Sequence, residues 1–370
     1  MNKLFNNKYK NFIIKSIFLS ILMVSILVVI IIYMNFNEEE DNYQKAFEWQ
    51  NQTKGVVSLT TKISEPLKTK MTHYFIENSD VNSLMFGSST IMGIKNEFIK
   101  DLSTFNAAKN SYPLNKSISD AYYYINKYEK IKYVIIGFDW SIGLIFHPYN
   151  IIKDNYAPLG KSEEISLKNK IKDALTYRRF SITIDKIIND IFIANDKSIT
   201  YKCPTENETI GNDSLFDTDF PLRCHGFRAD GSATFQNQKI VNKNRFKDYL
   251  EGGLINYKAH LINSKGLFED KYFEDFKEID SLLKQRNGKL IVISPPILSG
   301  ITKLLENSEV GNYLKDLRIN INNKFKQNNI DFYDFSEAEK FGCEIEEFMD
   351  VHHAFPSCYK KILQDLAINH

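Results

Sequence analysis

From Ser16 to Met34 the chain reads SIFLSILMVSILVVIIIYM, 19 residues without a charge. About 20 such residues cross a bilayer as a helix, the one single-segment form that satisfies every backbone N–H and C=O without water. The run predicts a transmembrane anchor over residues 16–35 and decides the compartment of the remaining chain. Lys3, Lys8, Lys10 and Lys15 precede it, whereas Glu38, Glu39, Glu40 and Asp41 lie just beyond it. This lysine excess keeps residues 1–15 in the cytoplasm and places the bulk of the chain outside it, in a periplasm or at the cell surface. A cleavable signal peptide fits less well. The apolar core exceeds the roughly 7–15 residues of such leaders, and no small-residue cleavage site comes after it.

Roughly 330 residues remain beyond the anchor, enough for one large α/β domain carrying an insertion. With 43% hydrophobic residues, 25% charged residues and a net charge of +1, the composition is that of an ordinary globular domain. It excludes a strongly basic nucleic-acid binder, and no nucleic-acid partner is expected. The four cysteines, Cys203, Cys224, Cys343 and Cys358, fall into two sequence-local pairs. Outside the cytoplasm such an even set suggests the disulfides Cys203–Cys224 and Cys343–Cys358. A zinc site built from Asp350, His352, His353 and Cys358 is the alternative. No CxxC or HExxH spacing accompanies those residues, so no metal is expected.

Residues 84–86 read as a short strand, 91–100 as a helix, 103–106 as a second strand, and 117–128 as a helix capped by Ser117. Residues 132–138 (KYVIIGF) and 289–294 (KLIVIS) are nearly continuous, β-branched apolar runs. Such runs mark strands buried on both faces. Helices are expected over 272–286, 313–327 and 356–368, and a last strand over 331–335. The alternation predicts an α/β three-layer sandwich with a central parallel sheet. Residues 36–80 read as a membrane-proximal linker and helix, and residues 81–370 as the domain itself. Between about 141 and 270 the rhythm is lost, which marks a central insertion.

Two short segments carry chemistry. Phe86-Gly87-Ser88-Ser89-Thr90 comes directly after the first strand, so a serine stands at a strand-to-helix turn whose backbone N–H groups are free to hold an oxyanion. Asp350-Val351-His352-His353 supplies an imidazole and, three residues earlier, a carboxylate to orient it. Ligands of parallel sheets gather at the carboxyl ends of the strands, where Ser89, Asn106, Asp139 and the loop at Pro295 would emerge. Plainer readings stand beside this one. Ser88, Ser89 or Thr90 can cap a helix at Ile91, Asp350 can cap the helix after it, and Asn106 and Asn110 suit any loop. Arg223, His225, Arg228 and Asp230, in the insertion, read as a solvated face. The position of the serine after the first buried strand, with a DxxH several strand-helix units later, favours catalysis.

Gly87-Ser88-Ser89 after the first strand, Asn106 after the second, Gly137-Phe138-Asp139 closing a buried strand and Asp350 to His353 near the end resemble, in that order, the SGNH (GDSL-like) hydrolase superfamily. The resemblance covers residues 80–370 apart from the insertion. With one anchor and GSS in place of the GDS signature, the chain is most similar to the membrane-anchored extracytoplasmic acyltransferases, which include D-alanyl transfer proteins and alginate O-acetyltransferases. The resemblance implies a flavodoxin-like sandwich with Ser89 as nucleophile, His353 as general base and Asp350 as its partner. It also implies an oxyanion hole made by the nucleophile N–H, a glycine N–H and an asparagine side chain. Here the second block reads Asn106-Ala107-Ala108-Lys109-Asn110, without glycine, and Asp139 stands where the asparagine would. A carboxylate repels an oxyanion, so Asp139 is expected to point elsewhere and Asn106 or Asn110 to join the Ser89 N–H.

The activity this implies is acyl transfer through an acyl-serine, as in O-acetylation of a cell-envelope polysaccharide, with no metal or organic cofactor. Esterase or deacetylase action by the same triad is one alternative, and a non-catalytic glycan-binding or assembly role is another. The expected partners are the bilayer, a glycan or acyl-ester substrate and a multispanning membrane acyltransferase. If Asp350 and His353 open a helix, their spacing of three puts both on one face and turns His352 aside.

Overall fold

The computed structural model describes residues 2–58, 64–110, 112, 114–139, 202–203, 226–234, 248, 251, 270–298, 300–301 and 308–364. The chain divides into two units, Met1–Lys45 with Lys161–Ile199, and Ala46–Gly160 with Thr200–His370. Helix α1 (Asn2–Thr53) is continuous. Its stretch Tyr9–Ile26 is long and apolar enough to cross a membrane, and its large side chains, Phe12, Ile17, Phe18 and Met23 among them, face outward.

After α1 the elements are β1 (Val56–Ser58), α2 (Ser64–Asn78), β2 (Ser83–Phe86), β3 (Thr104–Asn106), α3 (Leu114–Lys127), β4 (Tyr133–Gly137), β5 (Lys202–Cys203) and β6 (Gly226–Phe227). Then come α4 (Asp270–Lys284), β7 (Lys289–Ser294), α5 (Glu309–Gln327), β8 (Asp331–Asp334) and α6 (Pro356–Leu363). Five of the strands form one parallel sheet in the order β3-β2-β4-β7-β8. The expected α/β alternation is therefore present. The apolar runs occupy its centre: β2 is buried throughout, and β4 and β7 from their second residues on. The half-buried β8 forms one edge. Register sets Phe86 beside Ile136 and Ile136 beside Val292, so the carboxyl ends of the three central strands finish together. From β2 the chain steps outward to β3 and then returns past β2 to β4. The strand order reverses there, and loops leaving such a point diverge and open a crevice.

Aromatic side chains join the helices to the sheet. Phe75 of α2 stacks on Phe105 of β3, Tyr124 of α3 meets Phe86 of β2, and Phe325 of α5 touches Phe332 of β8 and Phe273 and Phe276 of α4. The ladder hydrogen bonds of the central strands are thereby shielded from water on a dense apolar core.

One expected element is absent. Residues 91–100 form no α-helix; the segment holds two single 3₁₀ turns, Ser89–Ile91 and Asn96–Phe98. The apolar spacing there is helical and the apolar residues are buried, but Asn106 captures carbonyls that a helix would pair, and Asn96 turns its side chain to the start of β3. Nδ2 of Asn106 takes the carbonyls of Ile91 and Ile94, and Oδ1 of Asn96 takes the N–H of Thr104.

The described parts of the insertion are not a solvated appendage. β5 and β6 flank β1 in a small antiparallel sheet. Residues 226–234 lie along the open edge of β3, where Asn106 N–H donates to Asp230 C=O (2.8 Å) and Ala233 N–H to Met92 C=O (2.8 Å). Gly231 sits at φ +80°, and a Cβ there would lie 2.3 Å from the Asn106 carbonyl oxygen. Arg228 is only 4% exposed and donates from Nη1 to Ala233 C=O at 2.6 Å. Asp230 accepts from the N–H groups of Asn96 and Ser232. Both residues therefore brace the fold. Arg223, Cys224 and His225 lie outside the described residues.

Candidate active site

β2 leaves the sheet at Phe86 and turns at once. Ile91 lies across Gly87 and Gly137, at the ends of adjacent strands; a Cβ on either glycine would stand 2.6 or 2.8 Å from its Cδ1. This close approach seats the turn that carries Ser88, Ser89 and Thr90. The three hydroxyl residues divide the work. Ser88 is buried at the N-cap, its Oγ accepting from Thr90 N–H (3.4 Å) and 2.8 Å from Thr90 Oγ1. Ser89 projects outward and is half-buried. Tyr359, on α6 and 1% exposed, donates its hydroxyl to Thr90 C=O and pins the turn from behind.

The histidine comes from the other end of the chain. Residues 348–354 form a tight loop closed by a bridge between Phe348 and Ala354, and Met349 N–H donates to His353 C=O at 2.9 Å. Asp350 and His353 therefore do not open a helix, since α6 begins at Pro356. Their pairing arises from a turn: Asp350 Oδ1 accepts from the N–H groups of His352 and His353, both at 2.9 Å, as a short acidic side chain does when it organises its own loop. Oδ2 is left facing His353 Nδ1 at 2.7 Å, and His353 Nε2 stands 2.8 Å from Ser89 Oγ across 264 residues of sequence. Leu298 N–H donates to Val351 C=O (2.9 Å), which ties the loop after β7 to this one.

Burial opposes ionisation of Asp350, but the His353 hydrogen bond, the charges of His352 and His353 and the His352 N–H outweigh it and bring its pKa down to about 2. An ionised Asp350 accepts only, so the hydrogen lies on His353 Nδ1 and the Nε2 lone pair faces the serine. A hydroxyl, a base with a free lone pair and a fixed anion behind it are the parts needed to activate an oxygen nucleophile.

Asn106 is not placed as an oxyanion donor would be. Both N–H groups of the Asn106 amide are engaged, with Ile91 C=O at 2.9 Å and Ile94 C=O at 3.0 Å, and its Oδ1 accepts from Ala108 N–H at 3.1 Å. Asn106 therefore holds the serine segment against β3 and has no hydrogen left for a substrate. Ala107 and Lys109 donate their N–H groups to Met85 and Gly87. Among the described residues the Ser89 N–H and exposed Asn110 make no hydrogen bond. Lys109 and Asp120 form a buried ion pair at 2.7 Å, joined by Tyr112 O–H at 2.8 Å, which fixes the loop between β3 and α3. Asp139 is 6% exposed, and its charge acts with burial to raise the pKa of Tyr359.

Cys343 and Cys358 are joined as a disulfide. Cys203 lies in β5, and its proposed partner Cys224 is outside the described residues. The roles of Tyr359 and Lys109 have no sequence signal, because both depend on contacts distant in the chain. No family model, curated protein or solved structure matches the chain.

Proposed function

We propose that this protein is a membrane-anchored, extracytoplasmic serine acyltransferase of the SGNH type, with Ser89 as nucleophile, His353 as general base and Asp350 as its orienting anion. The observation that carries this reading is the continuous chain Ser89 Oγ, His353 Nε2, His353 Nδ1, Asp350 Oδ2, with contacts of 2.8 and 2.7 Å at the point where the sheet reverses its order. The strand order is that of flavodoxin-like sheets, which supports the family resemblance.

In this mechanism Ser89 Oγ attacks the carbonyl carbon of an acyl ester or thioester as His353 Nε2 takes its proton. Asp350 stabilises the imidazolium that results. The Ser89 N–H faces the developing oxyanion, and exposed Asn110, next to Lys109 whose N–H binds Gly87 C=O, is assigned as the second donor. Collapse expels the alcohol or thiol, which takes the proton back from Nε2 and leaves an acyl-serine. His353 then deprotonates a sugar hydroxyl, whose oxygen attacks the acyl carbon and restores Ser89. Water in place of the sugar gives hydrolysis with the same residues. Transfer is favoured because α1 holds an apolar stretch fit to tether the site beside lipid-linked substrates. A glycan-binding role without chemistry draws support from the second block, which lacks glycine, and from Asp139 in the third.

The test is labelling of the full chain in detergent with a fluorophosphonate probe. Adduct on Ser89, absent in Ser89→Ala, is expected; an unlabelled wild-type protein with intact fold assigns the chain to the binding class. Adding oligosaccharide to an acetyl-ester reaction then separates transfer, which yields acetylated sugar, from hydrolysis, which yields acetate alone.

A further inference from the structure

The triad leaves His352 unused, yet it is part of the same cluster. Its ring lies 4.4 Å from that of His353, centroid to centroid, and its Nδ1 is 4.0 Å from Asp350 Oδ1. One ligand atom each from Asp350, His352 and His353 falls within 4.8 Å of the others. A zinc ion binds imidazole nitrogen and carboxylate oxygen at about 2.0–2.2 Å and near tetrahedral angles, which sets its ligand atoms about 3.4 Å apart. The gaps of 4.0 Å from Oδ1 to His352 and 2.7 Å from Oδ2 to His353 stand on either side of that spacing, so rotation of these part-exposed side chains brings them to it. The three side chains are 41%, 26% and 19% exposed, which leaves an entry path. Cys358, a fourth candidate by sequence, is removed by its disulfide. Two imidazoles and one carboxylate suit Zn²⁺, whereas Mg²⁺ and Ca²⁺ favour oxygen ligands.

We propose that Asp350, His352 and His353 form a reversible, inhibitory Zn²⁺ site. Its binding rests on this geometry alone, and its effect on turnover rests on the catalytic reading above. Neutral imidazole carries one N–H. In the triad it is on Nδ1 and points at Asp350, so Nε2 keeps the lone pair that receives the Ser89 proton. Coordination through Nδ1 needs the lone pair there, and the hydrogen moves to Nε2. Nε2–H then faces Ser89 Oγ and cannot accept a proton. No proton is lost overall; base catalysis and metal binding require opposite tautomers of one ring. Asp350 is at the same time diverted from orienting His353 to ligating the ion.

The experiment uses the untagged full chain in detergent, titrated with Zn²⁺ against a chromophoric chelator. Wild type and Ser89→Ala should each bind one equivalent, and His352→Ala should bind about tenfold more weakly or worse, because one of three protein ligands is gone. Absence of binding, or equal affinity in His352→Ala with its circular dichroism unchanged, overturns the site. Fluorophosphonate labelling is then measured with and without Zn²⁺, each variant compared with its own metal-free rate. Wild type should be slowed reversibly by Zn²⁺, and His352→Ala should need a correspondingly higher concentration. A labelling rate indifferent to bound Zn²⁺ overturns the inhibition. If Zn²⁺ binds as expected but the metal-free protein never labels, the site stands, and the acyltransferase reading falls together with the inhibition built on it.

Discussion

Cys343 and Cys358 are covalently joined, their Cα atoms 5.1 Å apart, and the 15-residue separation between them encloses both Asp350 and His353. Asp350 and His353 thus share a closed loop, whereas Ser89 comes from the end of β2, 264 residues before His353. Closing a loop of this length constrains the unfolded chain by roughly 3 kcal/mol. Reduction, or the pair Cys343→Ser and Cys358→Ser, should lower the thermal midpoint and slow Ser89 labelling together. If neither changes, the hydrogen bonds of residues 348–354 hold the loop unaided.

The triad predicts a steep and non-additive loss. Ser89→Ala and His353→Ala should each reduce kcat/KM on an acetyl ester by about a thousandfold or more, and the double variant should lose little beyond either, because the residues act as a unit. Asp350→Asn should lose less than His353→Ala. His352→Ala should lose no more than about tenfold, since its Nδ1 is 4.0 Å from Asp350 and outside the chain to Ser89. A dead His352→Ala beside an active His353→Ala reverses the assignment of the base.

The proposed anchor makes a topological prediction. A reporter enzyme fused after His370 should be active only outside the cytoplasm, given the four lysines ahead of the apolar run. Cytoplasmic activity of that fusion removes the extracytoplasmic placement.

What can be read from the sequence tracks how local the determinant is. KYVIIGF and KLIVIS announce β4 and β7 because a strand covered on both faces must be apolar at consecutive positions. Asp350 and His353 are legible as a pair by spacing, but the backbone between them is not. A helix and an aspartate-capped turn both bring residues three apart together, and here the turn is formed, with Oδ1 on its N–H groups and Oδ2 on Nδ1. The segment after Ser89 reads falsely as a helix because Asn106, on the next strand, withdraws its carbonyls from helix pairing. Two- and three-residue strands such as β1, β5 and β6 carry no periodicity, and Lys68 reaches across to Gly231 C=O and the Phe227 ring without any local cue.

Asn106 separates a structural role from an oxyanion role. Asn106→Ala leaves the Ile94 carbonyl buried without its donor, at a cost of about 1–3 kcal/mol, while the Ile91 carbonyl keeps the Ile94 N–H. The thermal midpoint should fall, with Asn106→Asp at least as damaging because its carboxylate meets the same carbonyl oxygens. An oxyanion donor behaves otherwise: its removal lowers kcat by about 10²–10³ and spares stability. An unchanged midpoint with such a loss of kcat would return Asn106 to the oxyanion hole.

Acid should weaken the fold through His73 before it reaches Asp350. His73 packs between α2 and α3 against Tyr123, Tyr124 and Tyr128, and its Nδ1 is 2.7 Å from the Tyr128 hydroxyl. That hydroxyl donates to Glu77 Oε1, so His73 Nδ1–H is the donor to Tyr128. Burial, then the charges of Lys127 and Lys109, bring its pKa from 6.5 down to about 4. The unfolded chain binds this proton first, so the stabilisation is complete above about pH 6.5 and is lost as the pH falls through that interval towards 4. Asp350 shares the sign but acts lower, between its ordinary 3.8 and about 2. Thermal midpoints measured across pH 7 to 4 should therefore decline more steeply for wild type than for His73→Gln, which has no proton to gain. Parallel curves for the two proteins would show that His73 does not set the acid sensitivity of this fold.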